Sequence, residues 1–283
     1  MIPAAMATAL ATIAGCAGLG SKHPFDIRPH MNTCEVMLVG PARIGDMRLW
    51  VPEGIATDTG FSSIYPVGSA WTRVDGCWVH RVTQAGLFGP GNFTRVATDT
   101  LECAGIRVPV DEPVEWTTTL RPTTDGVAFS IRLTNRGTRS IRKAGAAICL
   151  KFFKAPWWSD ANTFVRSDGH VQSLAALGRD SGMPNGFEAY LMTGESYDNV
   201  FYRQFWGFNR HRLDLPLMVS HNTTAGRCIA LEAPNAYFLH SNPQNPCTDV
   251  MLAFGDVAPE TTVERNGEVR IIAGTPAKAF GHD

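Results

Sequence analysis

The chain has 283 residues, 44% of them hydrophobic and 18% charged, with a net charge of −1 at pH 7. A chain this long can bury a large core. Its balanced charge offers no basic surface for nucleic acid or an anionic membrane, so neither is expected as a partner.

Residues 1–20 are apolar, alanine-rich and uncharged. The run is too short for a membrane span, so no transmembrane segment is expected. Ile13-Ala14-Gly15-Cys16 resembles the lipobox of bacterial lipoprotein signals, which makes Cys16 a candidate lipid anchor and the chain an exported protein (periplasmic, cell-surface or extracellular). A helix packed on the following domain is the competing reading of the same run. Beyond it lie Cys34, Cys77, Cys103, Cys149, Cys228 and Cys247, which in an exported chain can form up to three disulfides. Cys149 and Cys228 fall inside apolar strands and read as buried thiols. No CxxC or Cys/His cluster has zinc spacing, and neither a metal nor another cofactor is expected.

The first strands are expected at 35–39 and 47–51, along a sheet edge. Residues 61–82 then read as strand, turn and strand, with Asp75-Gly76 in the turn. Trp78 and His80 share one face of the outgoing strand. The glycine-rich stretch 84–91 lacks the spacing of a phosphate cradle. Over 115–134 the alternation is clean: Trp116, Thr118 and Leu120, a Thr124-Asp125-Gly126 turn, then Val127, Phe129, Ile131 and Leu133. Asn135-Arg136-Gly137 turns again, and 144–153 is apolar enough for a central strand. A loop with Trp157, Trp158 and Asp160 follows, then a small hairpin over 164–172. Residues 178–186 form a polar excursion of the kind that often carries function.

Residues 200–208 are strand-like, with Tyr202 and Arg203 on opposite faces. Segments 228–232 and 236–240 read as a hairpin through Ala233-Pro234-Asn235, and the loop after them holds Asn242 between turn-forming residues. A last hairpin is expected over 261–273, around Asn266-Gly267. Strands throughout, with no Pro-, Gly- or Ser-rich linker dividing them, predict an all-β protein. The expected architecture is a large antiparallel two-sheet β-sandwich, with residues 21–283 as a single domain.

The segments DGVAFSIRLTNRG, ICLKFFKAPWWSD and TFVRSDGH resemble the galactose-mutarotase-like, or supersandwich, superfamily in strand rhythm and loop composition. So do RLDLPLMVS, CIALEAPNAYFLHSNPQNPCTDV and FGDVAPETTVERNGEVRI. That superfamily holds aldose epimerases and the sugar-handling domains of polysaccharide lyases and glycoside hydrolases. The resemblance implies a supersandwich-like fold and a carbohydrate ligand, with histidine acid and carboxylate base on the sugar ring.

Proton transfer on a sugar needs an acid, a base and a planar platform. His221, His240, Tyr202 and Glu195 are the candidate catalytic residues. Trp157, Trp158, Asp160, Arg203, Arg210, His80, Trp78 and Asn242 are the candidate substrate contacts, since indoles stack on sugars and guanidinium groups bind uronate carboxylates. Each has a plainer explanation: a histidine satisfying loop backbone, a core tryptophan, a surface arginine. Three readings follow, namely a carbohydrate-processing enzyme, a non-catalytic sugar-binding module and a structural domain with all its aromatics in the core. The first requires a concave site where these residues converge.

Overall fold

The computed structural model describes residues 23–29, 35–58, 60–63, 69–74, 77–82, 93–97, 100–107, 114–152, 155–180, 182, 188–198 and 207–281; for Pro29 and for the strands between 60 and 107 it describes backbone only. The early strands are β1 (Asp26–Pro29), β2 (Glu35–Val39), β3 (Met47–Thr57), β4 (Gly60–Ser63), β5 (Ser69–Val74), β6 (Cys77–Val82), β7 (Phe93–Ala97) and β8 (Thr100–Arg107). In the middle come β9 (Val114–Pro122), β10 (Gly126–Asn135), β11 (Ile141–Lys151), β12 (Thr163–Ser167) and β13 (His170–Ser173). After a helical turn, α1 (Leu174–Leu177), follow β14 (Glu188–Leu191), β15 (Leu217–Asn222), β16 (Arg227–Glu232), β17 (Ala236–Asn242), β18 (Cys247–Val257), β19 (Thr262–Ala273) and α2 (Pro276–Ala279). No described helix is long and apolar enough to cross a membrane.

The strands form two antiparallel sheets. One has ten strands in the order β14-β17-β18-β11-β3-β4-β5-β6, with β2 paired to β3 and β1 to β2. The other has nine, in the order β13-β12-β15-β16-β19-β10-β9-β8-β7. Leu49, Ile148, Leu150, Leu239 and Val250 of the first pack against Leu120, Phe129, Ile131, Ile229 and Val269 of the second in one buried cluster. This is the expected all-β two-sheet sandwich.

Alternation places the hairpin β9–β10 as expected. Trp116, Thr118, Leu120, Val127, Phe129, Ile131 and Leu133 are all buried. The turn closes with Thr123 N donating to Gly126 O at 2.9 Å. Strands β5 and β6 pair up to Val74 and Cys77, although the Asp75-Gly76 turn between them lies outside the described residues. The Asp168-Gly169 turn between β12 and β13 has both residues at positive φ, 52° and 78°, the conformation of a tight hairpin turn. The expected central strand is β11, flanked by β18 and β3. β3 itself is internal, paired with β2 over its first half and β4 over its second, and β2 is covered in turn by β1, so neither expected strand is itself an edge.

Two expected hairpins are absent. β16 belongs to the nine-stranded sheet and β17 to the ten-stranded one, so Ala233-Pro234-Asn235 carries the chain from sheet to sheet. Ala233 N donates to Pro216 O at 3.0 Å, and Asn235 O accepts from Ala253 N at 2.6 Å, so this connector is tied to both layers. Both strands are apolar on both faces, and alternation therefore could not reveal the crossing. The true hairpins are β15–β16 and β17–β18.

Asn266-Gly267 is likewise no turn, because β19 runs straight through it. Gly267 is there for space. A Cβ at this position would fall 2.3 Å from Phe129 Cζ and 2.6 Å from Glu232 O.

Candidate active site

The ten-stranded sheet has a second face, opposite the shared core. Ala147, Ala189, Leu191, Tyr237, Phe238 and Met251 form an apolar patch there, and Trp50, Cys149 and Cys247 form another. Each alternates along its strand with core residues such as Ile148, Leu239 and Val250.

At one end of this face the ladder loses register on neighbouring strands. The β11–β18 pairing shifts between Ile141 and Ala144 and again between Ala144 and Gly145. The β17–β18 pairing skips Tyr237, since Ala236 pairs with Leu252 and Phe238 with Met251. Lys143 sits at φ 52° and Gly255 at φ 74°. The Lys143 backbone donates to Asp256 Oδ1 at 2.9 Å across the irregularity. Such bulges bend strands and re-aim side chains, and they are over-represented beside active sites.

A cavity of about 690 Å³ opens at this point, lined among others by Glu195, Asp198, Tyr237, Asp256, Arg142 and Arg265. Its volume lies within the range of roughly 300–1,000 Å³ usual for small-molecule sites. Glu195 is held there through its backbone. Gly194, at φ 90°, turns the chain. Glu195 N donates to Met192 O at 3.1 Å. The Arg212 guanidinium donates from Nη1 to Glu195 O at 2.6 Å and lies over the Tyr197 ring, 5.4 Å from its centroid. Met192 N in turn donates to Tyr237 O at 3.1 Å, which couples the Glu195 loop to the bulged strand.

Burial, followed by the nearby charge of Glu195, pushes the Tyr237 phenol above its ordinary pKa, so it keeps its proton. Arg265 reaches across from β19, donating from Nε to Ala253 O at 2.6 Å and from Nη1 to Glu264 O at 2.9 Å. A guanidinium carries five N–H donors, and the cavity can use the rest. Carboxylate, phenol and guanidinium groups thus share one polar concavity.

The other end of the same face is buried. His240 on β17 stands opposite Asp249 on β18, with Nδ1 3.1 Å from Asp249 Oδ2. Cys247 Sγ donates to the same oxygen at 2.9 Å. Burial drives the His240 imidazole down to about 3, with the Arg179 charge adding to the effect, and drives the Asp249 carboxyl up to about 8, with Glu53 adding to it. The pair is therefore neutral at neutral pH. Neutral imidazole against a protonated carboxyl avoids the desolvation penalty of a buried ion pair.

The other sequence candidates scatter. His221 is half-buried on β15, opposite Cys228, in the nine-stranded sheet; His240 is in the other. The two do not meet. Trp158 belongs to the shared core, while half-buried Trp157 packs against that core and donates from Nε1 to Ile44 O at 3.1 Å. Asp160 accepts twice from Arg179, from Nε and from Nη2, both at 2.8 Å. Arg210 is exposed and pairs with Asp180 at 3.5 Å. Asn242 caps its own loop, with Oδ1 accepting from Gln244 N at 3.0 Å and Asn245 N at 3.3 Å. Trp78 and His80 lie on β6, where only backbone is described, and Tyr202 and Arg203 lie outside the described residues. Of the named candidates, Glu195 is the one on the cavity wall. Tyr237, Asp256 and Arg265 were not singled out, because a bulge has no compositional signature and each of the three reads as an ordinary strand residue.

Fold and site together define a large antiparallel β-sandwich with a polar cavity over a bulged sheet face. No protein-family model and no curated protein matches the chain. Among solved structures it is similar to a galactose mutarotase related enzyme from Lactobacillus acidophilus, at 5% identity and a TM-score of 0.46, covering 89% of this chain and 99% of that one. It is also similar to a galactose mutarotase-like protein from Lactobacillus casei, at 10% identity and a TM-score of 0.45, covering 87% and 100%. A galactose mutarotase-like protein from Clostridium acetobutylicum is similar at 7% identity and a TM-score of 0.44, covering 89% and 100%.

Proposed function

We propose that the protein is a carbohydrate-active enzyme that moves protons on a sugar ring in the cavity beside Tyr237, by an epimerase-like ring opening. The observation that carries this reading is that the cavity lined by Tyr237, Glu195 and Arg265 coincides with the register shifts on β11, β17 and β18. Sugar hydroxyls both donate and accept, and a wall that holds both carboxylates and guanidinium groups supplies partners for both.

In this scheme Glu195 takes the proton from the anomeric hydroxyl as Tyr237 gives one to the ring oxygen. The bond between the anomeric carbon and the ring oxygen breaks, leaving a carbonyl and a free hydroxyl. Arg265 steadies the charge that develops on oxygen. Reclosure on the other carbonyl face returns both protons and yields the second anomer. The same reading keeps the protein exported, with Cys16 as the lipid attachment point; mass measurement of the cell-derived chain tests that part.

The decisive experiment follows optical rotation of freshly dissolved single anomers from a panel of neutral and uronate aldoses. Reducing ends and unsaturated products from polysaccharides are read in parallel. Faster mutarotation than the buffer rate supports the proposal. Glycan retention without turnover replaces it with a sugar-binding module, and neither retention nor turnover removes both.

A further inference from the structure

The buried end of the same face carries a second chemistry, independent of the cavity. Cys149 on β11 and Asp249 on β18 are direct partners in the ladder, and Cys247 lies two residues before Asp249 on the same side of its strand. Their ligand atoms, two Sγ and a carboxylate oxygen, all lie within 4.8 Å of one another. The three residues are 1%, 3% and 3% exposed. Asp249 Oδ2 takes the Cys247 thiol and the His240 ring, while the buried Oδ1 has no hydrogen-bond partner among the described residues. Lys151, over the Trp50 ring at 5.6 Å, is the neighbouring cation for two thiols and two carboxyls, Asp249 and Glu53.

We propose that Cys149, Cys247 and Asp249 bind a divalent cation of the zinc class. Two sulfurs and one carboxylate oxygen form a donor set that suits this ion, with ligand distances of about 2.0–2.3 Å. Tetrahedral binding would set the donors roughly 3.5 Å apart, so the group closes by side-chain adjustment on a fixed ladder. His240 then acts as the outer partner that orients the ligating carboxylate, and the fourth position falls to water. Sequence spacing could not reveal the site, because strand register brings together residues 149 and 247.

The test uses the full chain, reduced and stripped of metal, then titrated with Co²⁺. One equivalent should bind with a thiolate-to-cobalt charge-transfer band and the intense visible bands of tetrahedral cobalt, and Zn²⁺ should displace it. Cys149→Ser and Cys247→Ser should abolish the charge-transfer band or halve it, Asp249→Asn should weaken binding at least tenfold, and Cys228→Ser should change nothing. His240→Gln should weaken it by about 10- to 100-fold. Zinc should also shield Cys149 and Cys247, but not Cys228, from alkylation in the unaltered chain, a readout that needs no variant to fold. A reduced wild-type chain with no charge-transfer band, or unshielded Cys149 and Cys247 at saturating zinc, overturns the proposal. A Cys149–Cys247 disulfide whose reduction restores no metal binding does so equally.

Discussion

Tyr237 occupies the unpaired position of a bulge on β17, and burial, then the charge of Glu195 on the loop tied to it through Met192, raises its pKa. If these two groups exchange protons with substrate, Glu195→Gln and Tyr237→Phe should each lower kcat by about a hundredfold or more with KM little changed. His221→Ala should leave the rate as it is, since β15 lies in the other sheet. Because burial and then the Glu195 charge hold the phenol above its ordinary range, the alkaline fall in activity should come later than a free phenol would give. Steady-state rates of the three variants, with a pH profile of the wild type, check this. A hundredfold loss in His221→Ala with none in Glu195→Gln would move the chemistry to the nine-stranded sheet.

Asn135 pins the connection between the two sheets. It is fully buried, and its Nδ2 donates to Arg139 O at 2.7 Å and Val257 O at 2.9 Å, while its Oδ1 accepts from Gly137 N at 2.8 Å. Truncation leaves two carbonyls and one N–H in need of partners. Asn135→Ala should therefore cost about 3 kcal/mol. Urea midpoints at constant slope measure it, and a loss below about 1 kcal/mol would mean that water replaces the side chain there.

The same residues show what the sequence could and could not disclose. Asn135-Arg136-Gly137 was legible as a turn, because Asn caps its own backbone, and the strict alternation from Trp116 to Leu133 picked out seven residues of β9 and β10 that are all buried. Sheet membership was not legible. Ile229-Ala230-Leu231 and Tyr237-Phe238-Leu239 are buried on both faces, so a three-residue connector reads the same whether the strands pair or part. Glu195 could be named as a base from its type alone. Its partner Tyr237 could not, since one slipped residue in a ladder leaves no mark on composition, and Cys149 meets Cys247 and Asp249 only once register is known.

Gly267 offers a test of the strand that replaced an expected turn. An alanine there brings Cβ against the Phe129 ring and the Glu232 carbonyl. Gly267→Ala should destabilise by about 2 to 3 kcal/mol. Adding Phe129→Leu should recover only part of that, because the backbone carbonyl remains. If position 267 were the glycine of a tight hairpin turn, alanine would cost only about 1 kcal/mol and Phe129→Leu would recover none of it, and thermal unfolding of the two variants separates the cases.

Alkaline stability should be governed partly by groups away from the site. Tyr190 is fully buried in the shared core and its hydroxyl has no hydrogen-bond partner among the described residues. Burial, then the Glu188 charge, pushes its pKa up against the opposing pull of Arg179. Burial also pushes the Cys228 thiol from 9.0 up to about 11. For both groups the folded pKa lies above the unfolded one, so the unfolded chain releases protons first as pH rises. Their contribution is whole below pH 9 and is lost as pH climbs toward the folded values, by about 2 kcal/mol for Cys228 alone. Tyr190→Phe removes one of the two groups and an unsatisfied buried oxygen together. It should raise stability at pH 7 by about 1 kcal/mol and flatten the decline between pH 9 and 11. Urea unfolding at pH 7, 9 and 11 reads both effects. A variant less stable than wild type at pH 7, with an unchanged alkaline slope, would show that the phenol is bonded in the folded protein and that its burial is not what raises its pKa.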